Sequence, residues 1–400
     1  MHCFRKITDD LYWVGASDRR IELFENIFPL SDGVSYNSYL LLDDKTVLLD
    51  SADYSVGRQF LENVQAALNG RSLDYLIVNH MEPDHCAMID ELVLRYPDMQ
   101  IIGNAKTFPM IDQFFNFDLE GKKVIVKEGD TFCTGKHTLH FVMAPMVHWP
   151  EVMMTYDEAD KILFCADAFG TFKALNGNIF NDEVNFDRDW LDEARRYYTN
   201  IVGKYGMQVQ AVLKKAAGLD IQMLCPLHGP IWRTDLDYII GKYDKWSRYE
   251  PEEKGVMIAY ASMYGNTENM AEILAAKLAQ AGVKDIRMHN ISKTHVSELI
   301  ADSFKYSHIV LAAPTYNNGI YPLMDNYLED MKALALKNRT IAVLGNGSWA
   351  PQSTKLISTK ISEMKDMSLM VATVTIKSSV KEAQMEELDS LARQIAEEVL

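Results

Sequence analysis

Six consecutive residues, His80-Met81-Glu82-Pro83-Asp84-His85, include four whose side chains bind metal ions, two imidazoles and two carboxylates. They follow an apolar run, Leu73-Asp74-Tyr75-Leu76-Ile77-Val78, and precede a helical pattern from Cys86 to Tyr96. Successive side chains of an extended strand alternate, so His80 and Glu82 share one side. Asp84 and His85 then point back from the start of the helix. Taken alone, Asp84 reads as an N-cap after Pro83, because aspartate is a preferred capping residue. Four ligand types at this density describe a metal site instead. Three more ligand-type residues each follow an expected strand: His148 after 139–143, Asp167 after 162–165 and His228 after 221–224. Loops leaving one edge of a sheet can converge on a single pocket. The set is then His80, His85, His148 and His228 with Glu82, Asp84 and Asp167. One ion rarely takes seven nitrogen and oxygen donors from protein, whereas two ions sharing a carboxylate accommodate them. Imidazole and carboxylate without thiolate suit iron or manganese as well as zinc.

The elements that must position these residues are short strands and helices over residues 1–250. Strands are expected at 11–14, in a hairpin of 38–42 with 46–49, at 100–102, 123–126 and 137–143, and in a hairpin of 152–156 with 161–165. Helices are expected at 55–68, 106–115, 236–246 and, as one long stretch, 190–217. Tyr198 and Trp149 fall near the expected site, and packing explains them equally well. The charged, proline-containing piece Tyr249-Glu250-Pro251-Glu252-Glu253-Lys254 marks a domain boundary. From 254 to 400 five β–α units follow, the pattern of a doubly wound parallel sheet.

In this second domain the expected strand 256–260 leads into Ser262-Met263-Tyr264-Gly265-Asn266-Thr267 and a helix. Hydroxyls, an amide and backbone N–H groups at a helix N-terminus can hold a phosphate dianion without lysine or arginine. Two further loops follow strands at the same edge, Pro314-Thr315-Tyr316-Asn317-Asn318-Gly319 and Gly345-Asn346-Gly347-Ser348-Trp349. Ligands of open α/β sheets sit at that edge, near the topological switch point. Tyr316 and Trp349 can flank an isoalloxazine ring, so the three loops point to FMN.

Composition bounds the rest. The chain has 400 residues, is 48% hydrophobic and 24% charged, and carries a formal net charge of −16. That length implies two or three domains, and the charge argues against nucleic acid and anionic membrane surfaces as partners. No apolar run of about 18 residues is present, so no membrane span is expected. Cys3, Cys86, Cys133, Cys165 and Cys225 form no CxxC pair. This argues against a rubredoxin-type or zinc-ribbon module and fits a reducing cytoplasm.

The first cluster resembles the metallo-β-lactamase fold, whose zinc hydrolases carry His-x-His-x-Asp-His there. Glu82 stands where the second histidine would be, and with His148, Asp167 and His228 the pattern is similar to the flavodiiron proteins (A-type flavoproteins). The loop at Ser262–Thr267 resembles the flavodoxin phosphate loop. The resemblance covers the whole chain, since those proteins join the same two domains in the same order. It implies a metallo-β-lactamase-like αββα sandwich over 1–250 and a flavodoxin-like FMN domain over 254–400. It implies two irons, one held by His80, Glu82 and His148 and the other by Asp84, His85 and His228, with Asp167 bridging. It further implies reduction of O2 to water, of NO to N2O, or both. It implies too an external electron donor, such as rubredoxin, a reduced deazaflavin or a reductase. The family's head-to-tail homodimer, or a dimer of dimers, is the expected assembly. The rival reading is a di-zinc hydrolase with a flavodoxin-like accessory domain, against which Glu82 and the flavin-type loops count.

Overall fold

The computed structural model describes residues 2–400. The chain divides into two compact units, Met1–Tyr198 with Met207–Asp244, and Thr199–Gly206 with Lys245–Leu400.

The first unit is built on two β-sheets. One runs Arg5–Lys6, Leu11–Trp13, Tyr39–Leu42, Thr46–Leu49, Tyr75–Ile77, Gln100–Asn104, Lys123–Val126. It is antiparallel as far as Thr46–Leu49 and parallel beyond. Parallel neighbours need crossovers, and the helices Gly57–Leu68 and Thr107–Phe114 lie within them. The second sheet runs Thr131–Cys133, Thr138–Met143, Met153–Asp157, Ile162–Phe164, Met223–Cys225, antiparallel except for its last pair. Leu41, Leu49, Ile77 and Ile102 of the first sheet share one core with Leu139, Phe141, Met153 and Phe164 of the second. Tyr39-Leu40-Leu41 is buried at every position, as a strand with covered faces must be. Helix Gly57–Leu68 buries Phe60, Val64, Ala67 and Leu68 on one stripe. Full burial of side chains such as Phe60 and Val64 contributes about 1.5–3 kcal/mol each.

Two expectations need correction here, and one strand adds to them. The helix expected over 86–96 begins earlier and breaks. It runs Pro83–Cys86 and resumes as Ile89–Arg95, with Glu82 in the N-cap position and Asp84 inside the first turn. Proline suits a first helical position, where its missing N–H would be unpaired anyway. The break follows because the His85 carbonyl accepts both the Ser51 N–H and the Ser51 hydroxyl, each at 2.8 Å. The stretch expected as one helix over 190–217 is Leu191–Tyr197, a π-helical turn Tyr198–Val202, a 3-10 turn Gly203–Tyr205 and a helix Gly206–Ala216. At Gly206 an added Cβ would lie 2.3 Å from the Ser247 carbonyl oxygen, so the glycine permits a close backbone approach. The strand Thr131–Cys133 was not anticipated; its two outer positions are exposed, which leaves no apolar alternation to read.

The second unit is a five-stranded parallel sheet in the order Ile286–Asn290, Glu253–Tyr260, Tyr306–Tyr316, Arg339–Asn346, Met367–Ile376. The chain leaves its first strand to one side and returns on the other, which places the switch point beside Tyr260. Val256, Ile258, Val310, Ala312 and Leu344 pack with Met270, Leu274, Leu391 and Ile395 of two helices. The third strand runs to Tyr316 and turns back on Gly319–Ile320. The expected loop there is therefore a tight hairpin about Asn317 and Asn318, with φ of 49 and 60°; asparagine tolerates this left-handed region. Among the described residues no helix is long and apolar enough to cross a membrane.

Candidate metal centre and phosphate-binding crevice

Each candidate metal-binding side chain of the first unit leaves the end of a strand or the short turn of helix beside it. Asp50 fixes the approach to His80. Its Oδ1 accepts the N–H groups of Asn79 (2.7 Å) and His80 (3.1 Å), and its Oδ2 accepts the Asn79 amide (2.8 Å). Burial outweighs these bonds and pushes Asp50 up to about 6. Met146 and Ala166 hold positive φ of 65 and 50° just ahead of His148 and Asp167, strain of a kind found at functional sites. Gly229, beside His228, has φ 75° and no room for a side chain, since its Cβ would meet Thr171 Cγ2 at 2.1 Å.

The seven side chains named from the sequence come together in two groups, His80 with Glu82, His148 and Asp167, and Asp84 with His85 and His228. None is more than 9% exposed. In the first group His80 Nε2 lies 3.2 Å from Glu82 Oε2 and 3.1 Å from Asp167 Oδ2, and His148 Nε2 lies 3.0 Å from both oxygens. In the second, His85 Nε2 is 3.0 Å from His228 Nε2, 3.2 Å from Asp84 Oδ2 and 3.2 Å from Asp167 Oδ1. His228 Nε2 completes it, 3.3 Å from Asp84 Oδ2 and 3.7 Å from Asp167 Oδ1. Asp167 thus turns one oxygen to each group.

These separations fit shared ions. Two donors each ~2.1 Å from one ion at right angles lie ~3.0 Å apart. The contacts of Asp84 lack hydrogen-bonding geometry: both its oxygens, Asp167 Oδ1 and His85 Nδ1 are buried with no hydrogen-bond partner. Buried polar atoms are otherwise satisfied in native proteins, so the cluster is short of cations. Protons fill that need in the structure as it stands. Burial disfavours protonated His85, yet the Asp84 and Asp167 charges outweigh it and push it up to about 10. His148 is likewise pushed up to about 9 against burial, by Asp167 and Glu82. Burial would raise Asp167, but the neighbouring His80 and His85 hold it well below the usual carboxylate range. Binding of metal would release those protons.

The outer edges of the rings are held too. His80 Nδ1 donates to Glu151 Oε1 at 2.8 Å and His228 Nδ1 to the Ser35 carbonyl at 2.7 Å. Both bonds fix the tautomer that leaves Nε2 free to bind. Of the two aromatics noted in the sequence, Trp149 stands edge-on to His80 at 5.5 Å, while Tyr198 packs on Tyr243. It is Tyr197, one position earlier, whose ring lies 5.3 Å from His228. Sequence reasoning missed Asp50, Glu151 and Glu25. Glu25 lies at a turn beside Glu82; loss of hydration at its carboxyl, then the Glu82 charge and a hydrogen bond with it, push it up to about 8. A third His/carboxylate group, His137 with Asp157 and Asp160, is an ion-pair cluster. His137 sits between Asp157 (2.8 Å) and Asp10 (3.3 Å), and Lys136 lies 2.7 Å from Asp10 and 3.7 Å from Asp160. The lysine fills the place a cation would take.

In the second unit the three predicted loops enclose a crevice of about 490 Å³. Ser262, Met263, Tyr264, Asn266, Thr267, Pro314, Thr315, Tyr316, Asn317, Asn318, Asn346, Gly347, Ser348 and Trp349 line it, joined by Ala350 and Ser378. Gly265 precedes the helix and Gly319 and Gly345 lie in strands; none of the three lines it. The lining holds no lysine or arginine among the described residues. Helix Asn266–Gln280 starts at Gly265, which has φ 85° and makes no side-chain cap, so the first N–H groups face the crevice uncapped. Ser262 Oγ accepts the Gly265 N–H at 3.0 Å. Thr315 Oγ1 accepts the N–H groups of Gln352 (2.8 Å) and Ser353 (3.0 Å) at the start of helix Ser353–Ser362. Ser378, unnoticed in the sequence, holds Asn346 through its carbonyl at 2.8 Å. Tyr264 and Trp349 are 91% and 87% exposed on the rim. A wider crevice of about 900 Å³, beside Trp232 and Tyr238, contains none of the predicted site residues.

Comparison with known proteins follows the same division. Residues 34–229 match the family described as ODP family beta lactamase, and residues 258–390 match flavodoxin. The anaerobic nitric oxide reductase flavorubredoxin of Escherichia coli is 30% identical over 362 residues, 89% of this chain and 75% of that protein. An uncharacterized protein of Methanocaldococcus jannaschii is 29% identical over 392 residues, 98% of each chain. Among solved structures, rubredoxin oxygen:oxidoreductase from Desulfovibrio gigas superposes with a TM-score of 0.92 at 27% identity, over 99% of this chain and 98% of that one.

Proposed function

We propose, for a chain that belongs to the flavodiiron protein family, that it reduces O2 to water, NO to N2O, or both, at a non-haem di-iron centre, using electrons relayed through FMN. The observation that carries this reading is Asp167, whose two oxygens face two separate groups of imidazole and carboxylate donors. His80, Glu82 and His148 would hold one iron, Asp84, His85 and His228 the other, and Asp167 would bridge them. When bound, the irons and the flavin supply the electrons and an open coordination position.

The protein's own part is placement. Burial of all seven donors to 9% exposure or less excludes bulk water and strengthens each electrostatic contact. Ser262, Asn266, Thr267 and the helix start would take the FMN phosphate, and Tyr316 and Trp349 would flank the ring. An external donor (rubredoxin, a reduced deazaflavin or a reductase) supplies the electrons. A head-to-tail homodimer, or a dimer of dimers, would bring the flavin of one protomer beside the irons of its partner. Domain limits of 1–250 and 254–400 belong to the same proposal.

Metal analysis with a visible spectrum of the purified protein, followed by O2 and NO consumption under a chemical reductant, tests it. A yellow protein with about two irons per chain and steady gas consumption is expected. A colourless zinc protein that cleaves esters would overturn it in favour of the hydrolase.

A further inference from the structure

The imidazoles of the candidate metal centre differ in what stands behind them. His80 Nδ1 donates to a carboxylate, that of Glu151, at 2.8 Å. His228 Nδ1 donates to a neutral carbonyl, that of Ser35, at 2.7 Å. His85 Nδ1 is buried with no hydrogen-bond partner at all. Glu151 is itself 1% exposed, and Oε1 also accepts the Met81 N–H at 2.9 Å. Its Oε2 is buried without a partner, and among the described residues its ion pairing is with His80. The loop that carries it is pinned from outside, because Asn104 Nδ2 donates to the Glu151 carbonyl and Lys106 Nζ to that of Pro150. Burying a carboxylate with one oxygen unpaired is costly. Held rigidly behind a ligand ring, it acts through that ring.

We propose that Glu151 is a positioning residue which makes the His80–Glu82–His148 half of the metal pair the tighter and more electron-rich half. An anion accepting Nδ1–H draws the proton outward and raises the basicity of Nε2. The more basic nitrogen favours the more highly charged state of a bound ion. In the Asp84–His85–His228 half neither Nδ1 is hydrogen-bonded to a carboxylate, so its ion is held less firmly. This rests on the di-iron reading above.

The test uses the full-length protein loaded with iron. Two irons per chain in the unaltered protein must be found first; their absence would remove the di-iron reading itself, a separate outcome. Challenge with a ferrous chelator should then release iron in two phases. Glu151→Gln keeps the acceptor for His80 and Met81 but removes the charge. It should loosen the slower iron about 10- to 100-fold, merging the phases. If ferric iron is weakened tenfold more than ferrous, the midpoint potential of the iron couple followed by electron paramagnetic resonance rises by about 59 mV. FMN content and the flavin potential should not move, which separates this role from general loosening of the fold. Glu151→Asp, which keeps the charge at shorter reach, should shift the same two readings in the same direction by less, and it decides the matter if Glu151→Gln does not fold. Unchanged release phases and iron potential in the variant that folds would overturn the proposal, as would an equal shift of the flavin potential.

Discussion

Ser262→Ala isolates the phosphate end of the proposed flavin site. The crevice lining holds no lysine or arginine among the described residues, so a phosphate dianion there depends on hydroxyls, an amide and the uncapped start of helix Asn266–Gln280. One hydrogen bond to a charged group is worth about 1.5–3 kcal/mol, which is about 10- to 150-fold in Kd. The structure narrows that range. Ser262 Oγ already accepts the Gly265 N–H at 3.0 Å, and its removal frees that N–H to meet the phosphate instead. A loss near the lower end, about tenfold, is therefore expected. Fluorescence titration of the deflavinated protein with FMN measures it, and riboflavin, which lacks the phosphate, is the control. Riboflavin should bind the variant and the unaltered protein alike, with iron content the same in both. A loss of FMN affinity below about threefold, or an equal loss for riboflavin, would refute the placement of the phosphate.

Asp167→Ala should release most of the iron while FMN stays bound, because the substitution removes a donor from both groups at once; elemental analysis against flavin absorbance reads this, and unchanged iron would contradict the bridging role. His137 gives a pH dependence. Burial lowers its affinity for a proton, but its bonds to Asp157 and Asp10, with the Asp160 charge nearby, leave its pKa raised. A raised imidazole stabilises fully below its unfolded pKa of about 6.5 and loses that contribution as pH rises through the folded value. Urea unfolding midpoints across that window should therefore fall with pH in the unaltered protein, and His137→Asn should flatten that part of the profile; an identical slope in both would count against the ion-pair cluster.

What could be read from the chain follows from which interactions are local. Metal-binding types packed into residues 80–85, and loops rich in small polar residues after apolar strands, are visible because their spacing is short. The five β–α units are visible because each alternates apolar strand and amphipathic helix. Glu151 was not visible: it acts on His80 from 71 positions away, and a glutamate after Trp149 and Pro150 looks like any surface acid. The broken helix over 191–216 was hidden for a related reason. The ladder changes register at the π-helical turn Tyr198–Val202 and the 3-10 turn Gly203–Tyr205, and the close approach of Gly206 to the Ser247 carbonyl that follows is a tertiary fact. The two-part helix after Pro83 is the same lesson, since Ser51 captures the His85 carbonyl from outside the segment.

The gathered donors include no sulfur: all are imidazole nitrogens and carboxylate oxygens. For such a set the divalent affinity series puts zinc and copper above ferrous iron, so the affinity of the donors alone does not turn the wrong element away. Fidelity then becomes a matter of supply and timing, and the same polypeptide grown in zinc-rich medium should emerge yellow, correctly folded and inert. Elemental composition, more than yield or purity, would decide whether a preparation works.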